Sequence, residues 1–167
     1  MTKTVITPSH TCGPLFGFGI MHDGLNRSTE ASDPNAIFLS GEIRDSKADL
    51  GYEAFIEIFA AGQAVRVRTH AGRYEALLKR PAPEVLANGA TQAPHFTVLI
   101  HARGLVRHLM TRAYLPGNSQ EFDSDPVVQL VPEDMRPRLL MRPGIDERHY
   151  EFDICLQGEG ESVFFDI

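Results

Sequence analysis

The sequence predicts an all-β protein: an antiparallel β-sandwich with short helical segments behind an irregular N-terminal arm. Three observations carry this. From Ala36 onward, apolar and polar residues alternate with period two in one stretch after another, the pattern of half-buried strands. The 14 glycines and 11 prolines cut a chain of 167 residues into short pieces, as turn chemistry does. No helix-sized amphipathic segment separates consecutive strands, which sets aside a parallel βαβ arrangement. The length suits one domain with an appendage. The expected division is an arm over residues 1–35, packing on the domain or on a partner, and a sandwich over residues 36–167.

The elements follow in order. In the arm, Thr11-Cys12-Gly13-Pro14 and Gly17-Phe18-Gly19 are turn chemistry with too little periodicity for a regular element. Ile37, Leu39 and Ile43 alternate with Phe38, Ser40 and Glu42, which predicts the first strand. Ala54, Ile56 and Ile58 predict a second, Val65 and Val67 a third, and Arg73–Lys79 a fourth, with turns at Gly62 and Gly72. Residues 80–94 hold three prolines and Asn88-Gly89 and read as a loop. His95–Arg103 and Val106–Leu115 read as a hairpin turning tightly at Gly104. Residues 127–142 suggest a short helix limited by Pro132 and Pro137, and Tyr150–Leu156 and Ser162–Ile167 two last strands.

Composition narrows function. Hydrophobic content of 43% supplies a core. A net charge of −6 with scattered basic residues argues against nucleic-acid binding. No apolar run is long enough to span a membrane, and the N-terminus lacks the apolar stretch of a signal peptide. Cys12 and Cys155 have no zinc spacing and read as free thiols in a reducing cytosol. The expectation is a soluble cytoplasmic protein.

The run Pro94–Gly104 is the richest in chemistry. Residues two apart on a strand share a face, so His95 lies beside Thr97, while Phe96, Val98, Ile100 and Ala102 form the core face. Threonine is a poor transition-metal ligand, so His95 reads as a structural histidine where a metal site would want two. His101 shares the face of Thr97 and Leu99 and also reads as structural. Asp123-Ser124-Asp125 lacks the glycine and distal glutamate of a calcium loop and reads as an acidic turn. Cys12 has no histidine base at motif spacing, and Gly17-Phe18-Gly19 is too short for a phosphate loop.

Several stretches resemble one family. Thr7-Pro8-Ser9-His10-Thr11-Cys12-Gly13-Pro14 is similar to the N-terminal arm of intradiol ring-cleaving dioxygenases. Ala93-Pro94-His95, Ala102-Arg103-Gly104 and His108-Leu109-Met110-Thr111-Arg112 resemble their central hairpin. Residues 150–166, including Gln157-Gly158-Glu159-Gly160-Glu161, resemble the C-terminus of one branch, the alpha chains of protocatechuate 3,4-dioxygenases. The middle of the chain, around residues 60–92, is shorter than that resemblance leads one to expect.

The resemblance implies a sandwich of the intradiol dioxygenase type and an alpha subunit working beside a beta chain. In that family the beta chain holds Fe(III) through two tyrosines and two histidines, and protocatechuate is opened between its hydroxyls with O₂. Matched residue by residue, the first histidine falls on His95, the second is lost at Thr97, and neither tyrosine is matched. The implied cofactor of this chain is therefore none, with Fe(III) in the partner, and no residue of this chain is catalytic. The resemblance assigns Thr11, Gly13, Pro14 and Arg103 to the partner's substrate pocket. Arg103 lies roughly 26 Å beyond His95 along an extended strand, and guanidinium suits a carboxylate substrate. The alternatives are a stand-alone iron-free pseudo-enzyme acting as a homo-oligomeric binding or scaffold protein, and a metal-binding protein using His95 with His22 or His70.

Overall fold

Two β-sheets stack face to face in the computed structural model, which describes residues 10–11, 13, 16–45 and 53–166. The first sheet is built on β1 (Ala36–Arg44). On one side β1 pairs antiparallel with β4 (Arg73–Lys79) over its full length. On the other side it pairs in succession with β10 (His149–Glu151) and β11 (Ile154–Cys155), both parallel to it. β9 (Arg142–Pro143) lies antiparallel on β10. The second sheet has the order β3-β2-β7-β8, all antiparallel, from β3 (Gln63–Arg68), β2 (Ala54–Ala60), β7 (His95–Ala102) and β8 (Leu109–Tyr114).

The period-two patterns place the core. Ile37, Leu39 and Ile43 from the first sheet meet Ile56, Ile58, Phe96, Val98 and Ile100 from the second, each at most 1% exposed. Burying each such side chain contributes about 1.5–3 kcal/mol, so the alternation itself drives the stacking. A second apolar cluster forms outside the sandwich, where Tyr114, Phe122, Val128, Leu139 and Ala93 pack together. Asp125 organises it. Fully buried, its carboxylate accepts the backbone N–H groups of Ala93 and Val127 at 2.8 Å and of Val128 at 3.3 Å.

β1 changes partner at Gly41. Phe152 and Asp153 separate β10 from β11, and the Phe152 N–H still reaches Ser40 O at 2.8 Å while Asp153 Oδ1 accepts the Glu42 N–H at 2.9 Å. Tyr74, opposite Gly41 in the register, reaches across it and donates its hydroxyl to Phe152 O. A Cβ at position 41 would stand 2.0 Å from that carbonyl oxygen and 2.9 Å from the Tyr74 ring, so only glycine admits this crossing.

Several expectations need correction. The sandwich is not wholly antiparallel, because the chain returns along β1 in the same direction as β1. Residues 80–94 are not all loop: β5 (Glu84–Val85) and β6 (Thr91–Gln92) pair, with Gly89 at φ +83° in the turn. The central hairpin is not tight. β8 starts at Leu109, so residues 103–108 form the connection, with Gly104 at φ +95°. A helix unforeseen in the sequence, α2 (Ser119–Ser124), follows; Asn118 Oδ1 caps its first N–H groups. Residues 127–142 hold two 3₁₀ turns, Val128–Leu130 and Arg136–Leu139, rather than one helix. Residues 162–166 contribute only a bridge between Met110 and Phe165, not a strand.

Within the arm, α1 (Phe16–Ile20) is a single helical turn. Beyond it the chain closes the sandwich edge. Leu25 O accepts the Arg66 N–H at 2.8 Å, and residues 26 and 28 pair with Leu77 at 2.9 Å, so one stretch bridges β3 and β4. Among the described residues no helix is long and apolar enough to cross a membrane.

Candidate functional site

Two places on β7 carry the side chains that the sequence singles out, and the strand keeps them apart. His95 opens it, and Ala102-Arg103-Gly104 ends it.

At the His95 end, the register sets His95 opposite Tyr114, and Thr97 between Phe59 and Arg112. The imidazole leans on the Tyr114 ring at 5.1 Å, and its Nδ1 lies 2.8 Å from Ala93 O. A carbonyl only accepts, so Nδ1 carries the proton and Nε2 the lone pair. Burial holds His95 below its ordinary pKa, with the Arg112 guanidinium acting in the same direction against the Ala93 hydrogen bond, so the ring is neutral at pH 7. Burial pushes the Tyr114 phenol up to about 12, so it is protonated. Tyr74 is likewise held protonated by burial, with its hydroxyl spent on Phe152 O. Tyr150 donates to Glu147 O at 3.1 Å. A ferric ion calls for anionic oxygen donors together with imidazole. One imidazole, a threonine and a single phenol beside a guanidinium do not make up that donor set. Among the described residues no group of three or more His, Cys, Asp or Glu is gathered as a metal site.

From the sequence, Arg112 has only a place in the hairpin motif and Tyr114 has none. The signal was present in the hairpin, since pairing outward from the turn brings residue 112 against 97 and residue 114 against 95.

The other end of β7 joins two of the sequence motifs. Thr11 Oγ1 accepts the Gly104 N–H at 2.8 Å and donates weakly toward Ala102 O at 3.5 Å. The arm is thereby docked on the hairpin tip beside Arg103, which is exposed. Gly13 is exposed, and among the described residues no atom lies within 4 Å of where its Cβ would stand. Pro14 and Cys12 lie outside the described residues. Just inside the tip, His101 stacks on Phe55 at 4.3 Å and meets Glu57 Oε2 at 3.2 Å through Nε2. Glu57 in turn takes both Nε and Nη2 of Arg66. The ion pair and stack brace the strand end that carries Arg103.

A cleft of about 1010 Å³ opens between the arm and the sheet edges, lined among others by His22, Arg66, His70, Tyr74, Arg142 and Asp153. Its cations are matched by acids: Arg73 meets Glu42 at 2.7 Å, and Arg142 meets Asp153 at 2.8 Å and Glu151 at 3.3 Å. His22 and His70 both face this cleft and His95 does not. His70 follows β3, whose Arg68 shares a cross-strand row with Phe55 and His101, at the opposite end of β7 from His95. The three histidines are not brought together.

No family model matches the chain. The chain is 30% identical over 96% of its length to the protocatechuate 3,4-dioxygenase alpha chain of Pseudomonas putida, of which it covers 96%. It is 26% identical over its full length to the alpha chain of the same name from Burkholderia cepacia, covering all of that chain. Among solved structures it resembles the dioxygenase domain of a dioxygenase–carbohydrate-binding fusion from Streptomyces sp. SirexAA-E, with a TM-score of 0.57 at 19% identity over 83% of this chain and 88% of the other. It also resembles chlorocatechol 1,2-dioxygenase from Pseudomonas putida, with a TM-score of 0.58 at 16% identity over 78% and 62%. The structural likeness establishes the intradiol dioxygenase sandwich, and the full-length sequence likeness goes further: the chain belongs to the family of protocatechuate 3,4-dioxygenase alpha chains.

Proposed function

We propose that this chain is the non-catalytic alpha subunit of a cytoplasmic protocatechuate 3,4-dioxygenase, paired with an iron-bearing beta chain. In this reading Thr11, Gly13, Pro14 and Arg103 form one wall of the partner's substrate pocket, residues 1–35 act as the arm and residues 36–167 as the sandwich. The observation that carries it is the hydrogen bond from Gly104 N–H to Thr11 Oγ1 at 2.8 Å. It supports the reading by joining Thr11 of the arm to the hairpin tip that carries Arg103. The exposed backbone at Gly13 leaves room for a ligand to approach. Arg103 offers planar, permanently charged donors to the substrate carboxylate. Iron supplies oxygen activation in the partner, and this chain orients the substrate.

The test is co-expression with a beta-type chain bearing the four ligands. The two chains are expected to co-purify with ferric-tyrosinate colour, and the alpha chain alone to be colourless and inactive. In the complex, Arg103→Ala is expected to raise KM for protocatechuate about 10–100-fold, from about 1.5–3 kcal/mol lost with a charge-assisted hydrogen bond. A catechol lacking the carboxylate should show no such change. A lone chain that binds iron stoichiometrically and turns over catechols overturns the proposal. So does an unchanged KM in Arg103→Ala.

A further inference from the structure

The polar cluster at the His95 end has its own cation. Directly opposed residues of an antiparallel pair project to one face with Cβ atoms about 4.5–5.5 Å apart, which sets Arg112 against Thr97, one row from His95 and Tyr114. The Arg112 Nη1 donates to Tyr114 Oη at 3.2 Å. The buried Gln92 amide, turned so that its oxygen faces the guanidinium, accepts from Nη1 at 3.1 Å and Nη2 at 3.3 Å. The opposite orientation would set amide N–H against guanidinium N–H, donor against donor. The Tyr114 phenol and Gln92 amide oxygens therefore direct lone pairs at a side chain of this protein. Phe122 packs edge-on against Tyr114 at 5.2 Å, and Asp125 fixes Ala93, whose carbonyl holds His95. The half-buried guanidinium is thus held by partners that are themselves locked in place.

We propose that Arg112 is a built-in cation occupying the place a metal ion would take beside His95, so that this chain excludes metal by charge and occupation, not only by lacking the second imidazole at Thr97 and the two tyrosines. The proposal deepens the iron-free reading given above. Loss of ligands alone would leave a vacancy in which an imidazole restored at position 97 could pair with His95 to hold a divalent ion. A permanently charged guanidinium that donates to Tyr114 and Gln92 repels a second cation and competes for the oxygen atoms that would bind it. Restoring an imidazole at position 97 therefore does not restore a site.

The experiment uses the full chain as Thr97→His, Thr97→His/Arg112→Gln and Thr97→His/Arg112→Lys, titrated with Co²⁺ and read by visible absorption and calorimetry. Near-ultraviolet circular dichroism checks folding, and Arg112→Met in the Thr97→His background is the second neutral variant. Either neutral double variant is expected to bind Co²⁺ at least tenfold more tightly than Thr97→His, and the lysine variant to stay with Thr97→His. Folded neutral double variants that bind no more tightly than Thr97→His overturn the proposal. A lysine variant that binds as tightly as the glutamine one also overturns it. Neither result bears on the alpha-subunit reading, which falls instead if the unsubstituted chain itself takes up iron.

Discussion

Gly41→Ala is the sharpest test of how the two halves of the first sheet are joined. The new methyl carbon would sit 2.0 Å from Phe152 O, 2.7 Å from Phe152 C and 2.9 Å from Tyr74 Cε1. Two of these neighbours are backbone, so relief requires the Phe152 segment to move by more than about 1 Å to reach ordinary contact. That motion strains three hydrogen bonds: Phe152 N–H to Ser40 O, Glu42 N–H to Asp153 Oδ1, and Tyr74 Oη–H to Phe152 O. At about 1 kcal/mol each, with about 1–3 kcal/mol for overpacking, the loss is about 4–6 kcal/mol. Reduced freedom of the unfolded chain offsets about 0.4–1 kcal/mol. The net is about 4 kcal/mol, or a fall in Tm of roughly 8–16 °C for a chain of this size. Calorimetric or urea unfolding of the two proteins measures it. Gly13→Ala is the control: among the described residues nothing lies within 4 Å of its Cβ position, and stability should be unchanged. A Gly41→Ala protein melting within about 2 °C of the parent would refute the close crossing of β1 and Phe152.

Two further predictions concern the second cluster and pH. Asp125→Asn replaces a buried carboxylate that accepts three backbone N–H groups by an amide with one oxygen. It should cost about 2–3 kcal/mol in urea unfolding, and a loss under about 0.5 kcal/mol would show that the carboxylate does not anchor Ala93. His95 has a folded pKa below its ordinary 6.5, so it binds fewer protons folded than unfolded. Its contribution to stability is therefore complete above about pH 6.5 and is lost as pH falls from there toward the folded value. His95→Gln should flatten the stability profile between about pH 7 and 5, and equal slopes in the two proteins would count against a buried neutral imidazole.

Much of the second sheet was legible in the chain because one face of each strand is buried. Phe96, Val98, Ile100 and Ala102 alternate with half-exposed partners along β7 as the pattern requires. β4 ran over Arg73–Lys79 as expected. The sites of disagreement are those where long-range hydrogen bonds, not side-chain pattern, decide the backbone. β10 and β11 are too short to alternate, and their parallel pairing with β1 depends on where the chain returns. α2 is a single capped turn whose local sequence carries no apolar period, only Asn118 at its start and Phe122 inside.

The candidate site divides along the same line. The absence of a second imidazole at Thr97, the lone histidine at His95 and the family resemblance of the arm and hairpin motifs were all written in residue identities, because ligand chemistry is a property of side chains. That Thr11 seats on Gly104, that Arg112 turns its guanidinium toward Tyr114 and Gln92, and that Asp125 holds Ala93 in place depended on the folded chain. Most of those contacts join residues far apart in sequence, and such geometry is set by strand register and packing, which no local pattern encodes.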